Sequence, residues 1–225
     1  MRVLFLGEGY TDIGFEREDE DRAPVAAGAV APVLVRKILE QQWRRQTVRF
    51  EPVPRRFGWV AVGGLRRKVQ TALARANSER FDAVVTLTDR DGAKNQGRLE
   101  AMKSGREVAR NEDGNPLPCA IGLAIETIEA WVLDPKAARD ALGLETTPDD
   151  PGAPESLGGR RGSPDHPKTV LNRWLAEVPL ERFERITDAM AAIAEEVDPG
   201  ELSERCPKGF APFADEVRRE LGVLR

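Results

Sequence analysis

The stretch VLFLGEGYTDIG, residues 3–14, decides the fold that the rest of the chain has to complete. Its first four residues are apolar without alternation, which is typical of a strand buried on both faces, as in a parallel sheet. The strand then ends on Glu8, a carboxylate between two glycines. A buried strand needs no acid at its tip, but open α/β sheets place ligand and catalytic residues at the carboxyl ends of their strands. Acids at the ends of other strands would therefore indicate a functional site.

Strand and helix patterns alternate from the start of the chain to about residue 134. Apolar runs predict strands, and apolar residues three and four positions apart predict amphipathic helices. Pro52 and Pro54 put the second strand near a sheet edge or end it early. Strands that alternate with helices indicate a mainly parallel sheet with right-handed crossovers. The predicted strands are residues 2–7, 47–54, 81–92 and 116–126, and the predicted helices are residues 30–44, 63–78 and 96–110.

The fold class predicted from this pattern is α/β, with a mainly parallel sheet of about four strands flanked by helices over residues 1–145. A Pro/Gly-rich stretch, residues 146–167, is predicted to be a loop or linker. Residues 168–225 follow helical patterns, and we expect this helical C-terminal region to pack on the same domain. The sequence TIEAWVLD, residues 127–134, indicates the first turns of a helix after the fourth strand.

Composition favours a globular domain and limits the kinds of site that it can hold. Apolar residues make up 40% of the 225 residues, which is enough for a hydrophobic core. No apolar run approaches the length of a transmembrane helix, and the N-terminus lacks the basic and apolar regions of a signal peptide. Cys119 and Cys206 lie in unrelated contexts, so the expected compartment is a reducing cytoplasm. Because His166 is the single histidine, a metal ion would have to be held by oxygen ligands.

Charge is distributed unevenly along the chain. Between Arg36 and Lys68 there are ten basic and two acidic residues, a local charge of +8 in a chain of net charge −4. The residues outside this segment therefore carry −12. Two interpretations stay open, the solvated faces of two helices or a phosphate-facing patch beside an acidic site. The patch residues expected to bind nucleic acid are Arg55, Arg56, Arg66, Arg67 and Lys68.

Three of the predicted strands end in acids. Glu8 follows the first strand, Asp89 and Asp91 follow the third, and Glu126 follows the fourth. Since parallel strands joined by crossovers point their carboxyl ends the same way, we expect these groups along one edge of the sheet. Both side chains of an Asp-x-Asp can face the same side, where their repulsion raises one pKa unless a cation neutralises them. Mg²⁺ or Mn²⁺ binds such carboxylates together with phosphate oxygens, so the pattern predicts a metal site.

A simpler interpretation is that Asp91-Gly92 is a turn signal and Glu8 an incidental loop residue. Acids at the ends of three strands favour the metal site over that interpretation. Among the other candidates, His166 is bracketed by prolines and is expected in an exposed loop. Trp131 is expected in the core, and Cys119 is expected to be a small buried hydrophobic residue.

Two of these motifs resemble those of TOPRIM domains. The sequence EGYTD, residues 8–12, resembles the Glu-Gly-x-Thr-Asp that opens such domains, and TDRDG, residues 88–92, resembles their Asp-x-Asp. TOPRIM domains occur in topoisomerases, primases, recombination mediators and OLD-type nucleases. The resemblance implies a TOPRIM-like sheet, with Glu8 as general acid/base or metal ligand and with Asp89 and Asp91 as Mg²⁺ ligands. It further implies that Glu126 and Glu129, one helical turn apart, add ligands for a second ion.

Two later segments, AIETIEAWVLD at residues 124–134 and CPKGFAPFADEV at residues 206–217, are similar to the bacterial family called domain of unknown function 4276. That family is TOPRIM-like and often lies beside ATPases in defence gene clusters, which implies an ATPase partner and a role in phage defence. The chain departs from many TOPRIM domains in the long segment FEREDEDRAPVAAGAV, residues 15–30, where those domains begin a helix at once.

The residues and the resemblance together indicate a Mg²⁺-dependent enzyme that cleaves phosphodiesters or transfers phosphoryl groups on nucleic acid. Tyr10, the single tyrosine, lies inside the first motif, which disfavours a covalent strand-passing mechanism. Two alternatives stay open: a non-catalytic module that docks on an ATPase partner through its acidic edge, and a phosphatase that acts on small nucleotides. The sequence has no Walker-type glycine loop, so we do not expect the chain itself to hydrolyse ATP.

Overall fold

The computed structural model contains a four-stranded, all-parallel sheet. Its strands are β1 (Arg2–Gly7), β2 (Glu51–Arg56), β3 (Ala83–Asp89) and β4 (Cys119–Ala124). The strand order is β2-β1-β3-β4, so β1 and β3 are neighbours at the centre of the sheet. The structure describes residues 1–13, 29–43, 49–60, 63–90, 97–158, 162–178, 183 and 185–224.

Helices cover both faces of this sheet, which confirms the predicted α/β fold class. They are α1 (Tyr10–Ile13), α2 (Val30–Trp43), α3 (Leu65–Ser78), α4 (Arg98–Asn111), α5 (Pro135–Leu142), α6 (Pro167–Leu175), α7 (Ile186–Glu196), α8 (Pro199–Arg205) and α9 (Phe210–Glu220). Short 3₁₀ helices occur at Phe57–Trp59, Ile128–Val132 and Pro154–Ser156. None of the helices in the described ranges combines the length and the apolar character needed to cross a membrane.

The strand β2 lies at the edge of the sheet, as its prolines predicted. Pro52 pairs with Val3 and Pro54 with Phe5, so one side of β2 faces β1. An edge strand tolerates proline because the missing N–H can lie on the side away from the ladder. Residues 47 and 48, where the predicted strand begins, lie outside the described residues, and β2 itself begins at Glu51.

Side chains of β1 alternate between two hydrophobic clusters. Val3 and Phe5 belong to the cluster formed with α2, α7 and α9, whereas Leu4 and Leu6 belong to the cluster formed with α3 and α4. All four side chains are fully buried, as expected of a central parallel strand. The helices α3 and α4 approach closely at Gly105, where an added Cβ would lie 2.2 Å from the backbone oxygen of Arg66.

The C-terminal helices complete the cluster that contains Phe5. Trp131 is fully buried, as predicted, and stacks on Phe213 with 5.3 Å between the ring centroids. Phe213 belongs to α9, so this contact joins α9 to the segment that follows β4. The helical turns expected at residues 127–134 form the 3₁₀ helix Ile128–Val132, and the α-helix α5 begins only at Pro135. Proline lacks an N–H and disfavours a helical conformation in the preceding residue, which separates the two elements.

The segment 146–167, predicted as a loop or linker, contains a buried carboxylate that orders the C-terminal helices. Glu155 is 4% exposed. It accepts hydrogen bonds from the backbone amides of Lys208, Gly209 and Phe210 and from Trp131 Nε1. These amides open α9, whose N-cap position is a glycine without a capping side chain. Glu155 therefore caps α9 from a distant part of the chain. Its negative charge is stabilised by the positive end of the helix dipole.

A buried charge cluster joins α4 to α9. Arg106 forms an ion pair with Glu216 and lies 3.5 Å from Glu220, and Arg110 forms an ion pair with Glu220. Burial acts to raise the pKa of Glu220, but the hydrogen bond from Arg110 and the charges of Arg110 and Arg106 outweigh burial and lower that pKa. Beside this cluster, burial raises the pKa of the Cys119 thiol to about 12, so the thiol is neutral and behaves as a small apolar group.

Replacing Glu155 by alanine is expected to lower the free energy of unfolding by about 3 kcal/mol, because several buried N–H donors lose their acceptor. Urea unfolding followed by circular dichroism measures the change. Glu145→Ala, an exposed position in the same half of the chain, is the control and should change stability by less than about 0.5 kcal/mol. Equal stability of Glu155→Ala and the parent would contradict the capping role.

The lowered pKa of Glu220 makes part of the stability depend on pH. A carboxylate whose folded pKa lies below its unfolded value stabilises the protein above the unfolded pKa, and this contribution is lost as the pH falls through the folded pKa. The parent is therefore expected to exceed Glu220→Gln in stability by about 1 kcal/mol near pH 6, and the difference should shrink below about pH 4. Unfolding curves of both proteins across this pH range measure the stability difference, and a difference that does not change with pH would contradict the role of Glu220.

Candidate functional site at the carboxyl edge of the sheet

The carboxyl ends of β1 and β3 lie side by side in the structure. In the parallel register Leu6 is opposite Thr86, so the residues that follow bring Glu8 level with Thr88. The Thr88 hydroxyl donates a hydrogen bond to Glu8 Oε1 at 2.6 Å. The two strand ends are therefore joined by a direct side-chain contact.

Small and polar residues shape the turn around Glu8. A Cβ on Gly7 would lie 2.8 Å from Cγ2 of Ile13, so glycine lets α1 fold back against the end of β1. The Asp12 carboxylate accepts a hydrogen bond from the Gly9 amide at 3.2 Å. Gly7, which precedes the EGYTD motif, and Gly9 and Asp12 within it thus shape the backbone that carries Glu8.

Arg98, the first residue of α4, brings a cation to this strand junction. Its Nη1 donates to Glu8 Oε1 at 2.7 Å, to Thr88 Oγ1 at 3.0 Å and to the backbone oxygen of Asp89 at 2.7 Å. A single guanidinium nitrogen thus contacts both strand ends. The ion pair compensates the charge of Glu8, whose side chain is 39% exposed and accessible to a ligand.

Asp89 ends β3 beside this contact, but its carboxylate contacts the segment after β4. Consecutive strand residues point to opposite faces, so Asp89 and Thr88 diverge. Asp89 Oδ1 accepts a hydrogen bond at 3.0 Å from the amide of Ile128, which opens the 3₁₀ helix after β4. Asp89 therefore ties β3 to the segment that carries Glu126 and Glu129.

Glu126 lies after β4 in a left-handed backbone conformation, with φ of 60°. This conformation is rare for residues other than glycine and costs on the order of 1 kcal/mol or more. The Glu126 carboxylate forms an ion pair with Arg90, which follows Asp89 directly. The ion pair holds Glu126 at the carboxyl edge and helps to offset the cost of this backbone conformation.

Glu129 is buried, at 6% exposure, in the 3₁₀ helix that follows. Its Oε1 lies 3.5 Å from Nζ of Lys168, and its Oε2 has no hydrogen-bond partner in the described part of the chain. Lys168 lies in the first turn of α6, where its amide donates to Nδ1 of His166 at 3.2 Å. The expectation of an exposed His166 is wrong: the ring is buried because it caps this helix.

Asp91, the second acid of the Asp-x-Asp motif, lies outside the described residues. Within the described ranges, no group of three acidic, histidine or cysteine side chains is close enough to hold one metal ion. The donors at this edge are carboxylate oxygens, which suit Mg²⁺ or Mn²⁺, and Glu129 Oε2 is a buried acceptor without a partner. The chemistry of the donors thus fits a hard divalent cation.

The predicted nucleic-acid residues fall into two places. Arg55 and Arg56 end β2, and Arg56 Nε donates to the backbone oxygen of Glu8 at 3.1 Å. Lys68 lies nearby, with its ammonium 5.5 Å from the ring centroid of Phe57. These side chains border the carboxyl edge on the β2 side.

Arg66 and Arg67 instead line a groove of about 620 Å³ with Gln70 and Asp113. Asp113 follows the C-terminal end of α4, whereas Arg98 is at the opposite end of that helix. The basic segment is therefore divided between the edge that carries Glu8 and a separate groove on α3.

The sequence patterns did not predict the basic side chains at this edge or the hydroxyl of Thr88. Arg90 stands between the two acids of the Asp-x-Asp motif, and Arg98 and Lys168 each open a helix that packs at the edge. Thr88 lies in the TDRDG motif, where the acids alone predicted a site. The available signal was position, because residues at the carboxyl ends of parallel strands and at the starts of the following helices meet at one edge.

Comparison with curated proteins finds no match, and comparison with solved structures finds none. A family model, "Domain of unknown function (DUF4276)", matches residues 28–218, which include α2 to α8, β2 to β4 and most of α9. The match covers well over half of the 225 residues and includes the segments after β4 that carry Glu126 and Glu129. The chain belongs to the DUF4276 family.

Proposed function

We propose that the protein is a Mg²⁺- or Mn²⁺-dependent enzyme that cleaves phosphodiesters or transfers phosphoryl groups on nucleic acid. The observation that carries this proposal is the pairing of the tips of β1 and β3, where Glu8, Thr88 and Arg98 are in hydrogen-bond contact beside Asp89. Carboxylates suit a divalent cation and guanidinium groups suit phosphate, so this edge carries both kinds of partner. The similarity of EGYTD and TDRDG to TOPRIM motifs supports the same proposal.

The proposed metal ligands are carboxylates from the ends of three strands. Asp89 and Asp91 are the proposed ligands of the first ion, with Glu8 as a further ligand or the general acid/base, and Glu126 and Glu129 are proposed for a second ion. When bound, such an ion polarises the phosphate and supplies a nucleophilic water near neutral pH. The half-buried Glu8, anchored through one oxygen by Thr88 and Arg98, is the proposed general acid/base.

The protein's own cations would hold the substrate backbone. Arg56 contacts the Glu8 backbone and is exposed beside it, so a strand of nucleic acid at the edge would meet this arginine. Such contacts give affinity that falls with salt and depends little on sequence. Cys119 and Cys206 are both buried free thiols, in keeping with a reducing cytoplasm as the proposed compartment.

One observation favours a second candidate, a non-catalytic module that docks on an ATPase partner. Glu8 and Glu126 each form an ion pair with an arginine, so the acidic edge is neutralised by the protein itself. Carboxylates in such ion pairs can belong to a protein–protein interface as well as to a catalytic site. A role in phage defence beside an ATPase is compatible with both candidate functions.

A cleavage assay separates these candidates. The parent is expected to degrade DNA or RNA in Mg²⁺ or Mn²⁺ and not in EDTA, and Glu8→Gln should lose at least about a hundredfold of this activity. Asp149→Asn, an exposed position distant in sequence from every candidate ligand, is the control. Hydrolysis of mononucleotides alone would indicate a small-nucleotide phosphatase, and no turnover with either substrate would favour the docking module.

Asp89→Asn is expected to remove metal-linked stabilisation without unfolding the protein. Asparagine keeps an oxygen that can accept the Ile128 amide, so stability without metal should stay within about 1 kcal/mol of the parent. Millimolar Mg²⁺ should raise the melting temperature of the parent and leave the variant unchanged, because binding to the native state stabilises it by mass action. Thermal melts with and without metal test this. A parent indifferent to metal, together with a destabilised variant, would contradict the metal site.

The two parts of the basic segment are expected to contribute unequally to nucleic-acid affinity. Reversing Arg55 and Arg56 to Glu should weaken binding at low salt by at least about tenfold and lower the salt slope by about 1 or more. Reversing Arg66 and Arg67 should weaken it less, since these residues line the groove with Asp113.

Fluorescence anisotropy with a labelled oligonucleotide over a salt series measures these effects. The control carries the same reversals at Lys136 and Arg173, which lie on α5 and α6. Equal losses in all three variants would indicate a general charge effect and no defined binding surface.

A further inference from the structure

Arg98 presents one edge of its guanidinium to solvent while the opposite nitrogen is fully used by the protein. Nη1 contacts Glu8, Thr88 and the Asp89 carbonyl, which fixes the plane of the group against two strands. No hydrogen bond from Nε or Nη2 to the described part of the chain accompanies these three. The side chain is 25% exposed, and neither Nε nor Nη2 is among the fully buried polar atoms without a partner in the described residues, so this second edge retains access to solvent.

Arg110 on the same helix provides an internal comparison. Its side chain is 29% exposed, close to that of Arg98, but it pairs with Glu220 in the charge cluster between α4 and α9. That arginine has a structural partner in a distant helix. Within the described residues, the hydrogen bonds of Arg98 all go to the strand ends of the candidate site, so they orient its guanidinium at that site.

The Nε–Nη2 edge of arginine matches two oxygens of a phosphate group. Two parallel N–H donors in one plane bind such oxygens in a bidentate manner, with better geometry and higher affinity than a single ammonium. An arginine already held by protein contacts loses less side-chain entropy when it binds, which further favours the complex. The carboxylate of Glu8 lies on the Nη1 side of the guanidinium, so one arginine would hold both Glu8 and a bound phosphate at the same strand junction.

We propose that Arg98 binds the non-bridging oxygens of a nucleic-acid phosphodiester through Nε and Nη2, and that it holds this phosphate at the strand junction that carries Glu8. The inference rests on the proposed function of the same site, and it adds the residue that selects the phosphate. Glu8 and Thr88 have a second role in this account, because they hold the guanidinium in the binding orientation.

The test compares the parent with Arg98→Lys and Arg98→Gln, and uses Arg110→Lys as the matched control. The probes are a short single-stranded oligodeoxynucleotide and inorganic phosphate, both in EDTA, measured by anisotropy and by phosphorus NMR. Both Arg98 variants are expected to bind the oligonucleotide at least about tenfold more weakly, because lysine keeps the charge but loses the bidentate edge. The phosphorus shift seen with the parent should disappear in the Arg98 variants, and Arg110→Lys should bind within about twofold of the parent.

Several outcomes would overturn the inference. Arg98→Lys with a lower melting temperature but parental affinity for both probes would show a structural role alone. Binding of deoxyadenosine 5′-monophosphate without binding of the oligonucleotide would overturn the assignment to a nucleic-acid strand.

The two proposals can fail separately. A protein that cleaves nothing but loses phosphate binding in both Arg98 variants supports the phosphate site and contradicts the nuclease. A parent that cleaves nucleic acid, with unchanged KM and oligonucleotide affinity in Arg98→Lys, contradicts the phosphate site alone.

Discussion

The parallel pairing of β1 with β3 is the constraint on which the candidate site depends. Residues distant in the sequence become neighbours because the register sets Leu6 opposite Thr86 and so brings Glu8 to Thr88. The apolar character of both strands makes this pairing the centre of the sheet, with side chains buried on both faces. A shift of one residue would turn Thr88 away from Glu8, since strand side chains alternate between faces.

Charge compensation is the second property of this edge. Glu8 pairs with Arg98, Glu126 pairs with Arg90, and Glu129 lies against Lys168, so each of these acids has a cation from a neighbouring element. A partly buried carboxylate without such a partner is costly, and the pairs explain how the protein keeps several acids together. In the proposed enzyme, these carboxylates would hold a divalent ion while keeping their cation partners, and Arg98 would bind a phosphate.

Much of the fold could be predicted because it rests on local patterns. Apolar strand segments with amphipathic helices between them were sufficient to predict the parallel sheet. The two prolines in β2 were sufficient to predict a position near its edge. The expectation that Glu8, Asp89 and Glu126 follow strand ends on one edge rests on the same topology. The family, too, could be anticipated from residues 124–134, around the end of β4, and from residues 206–217, which lead into α9 and include most of it.

The remaining features depend on contacts between distant segments, which no local pattern contains. Glu155 lies in a Pro/Gly-rich stretch typical of a linker, and its capping of α9 depends on tertiary packing. Arg98 resembles any basic residue at the start of an amphipathic helix, and its contact with Glu8 becomes visible only when α4 is placed beside β1 and β3. The split of the basic segment also follows from the direction of α3, which charge counts do not reveal.

The central claim is that the carboxyl edge binds a divalent cation between the ends of β1 and β3. Crystals grown with Mn²⁺ and measured at a wavelength where manganese scatters anomalously test this claim most directly. The account predicts an anomalous peak within coordination distance of the Glu8 and Asp89 carboxylates, about 2.0–2.2 Å for a small hard cation bound by oxygen. An ordered edge without such a peak at millimolar Mn²⁺, with Arg98 still paired to Glu8, would contradict it.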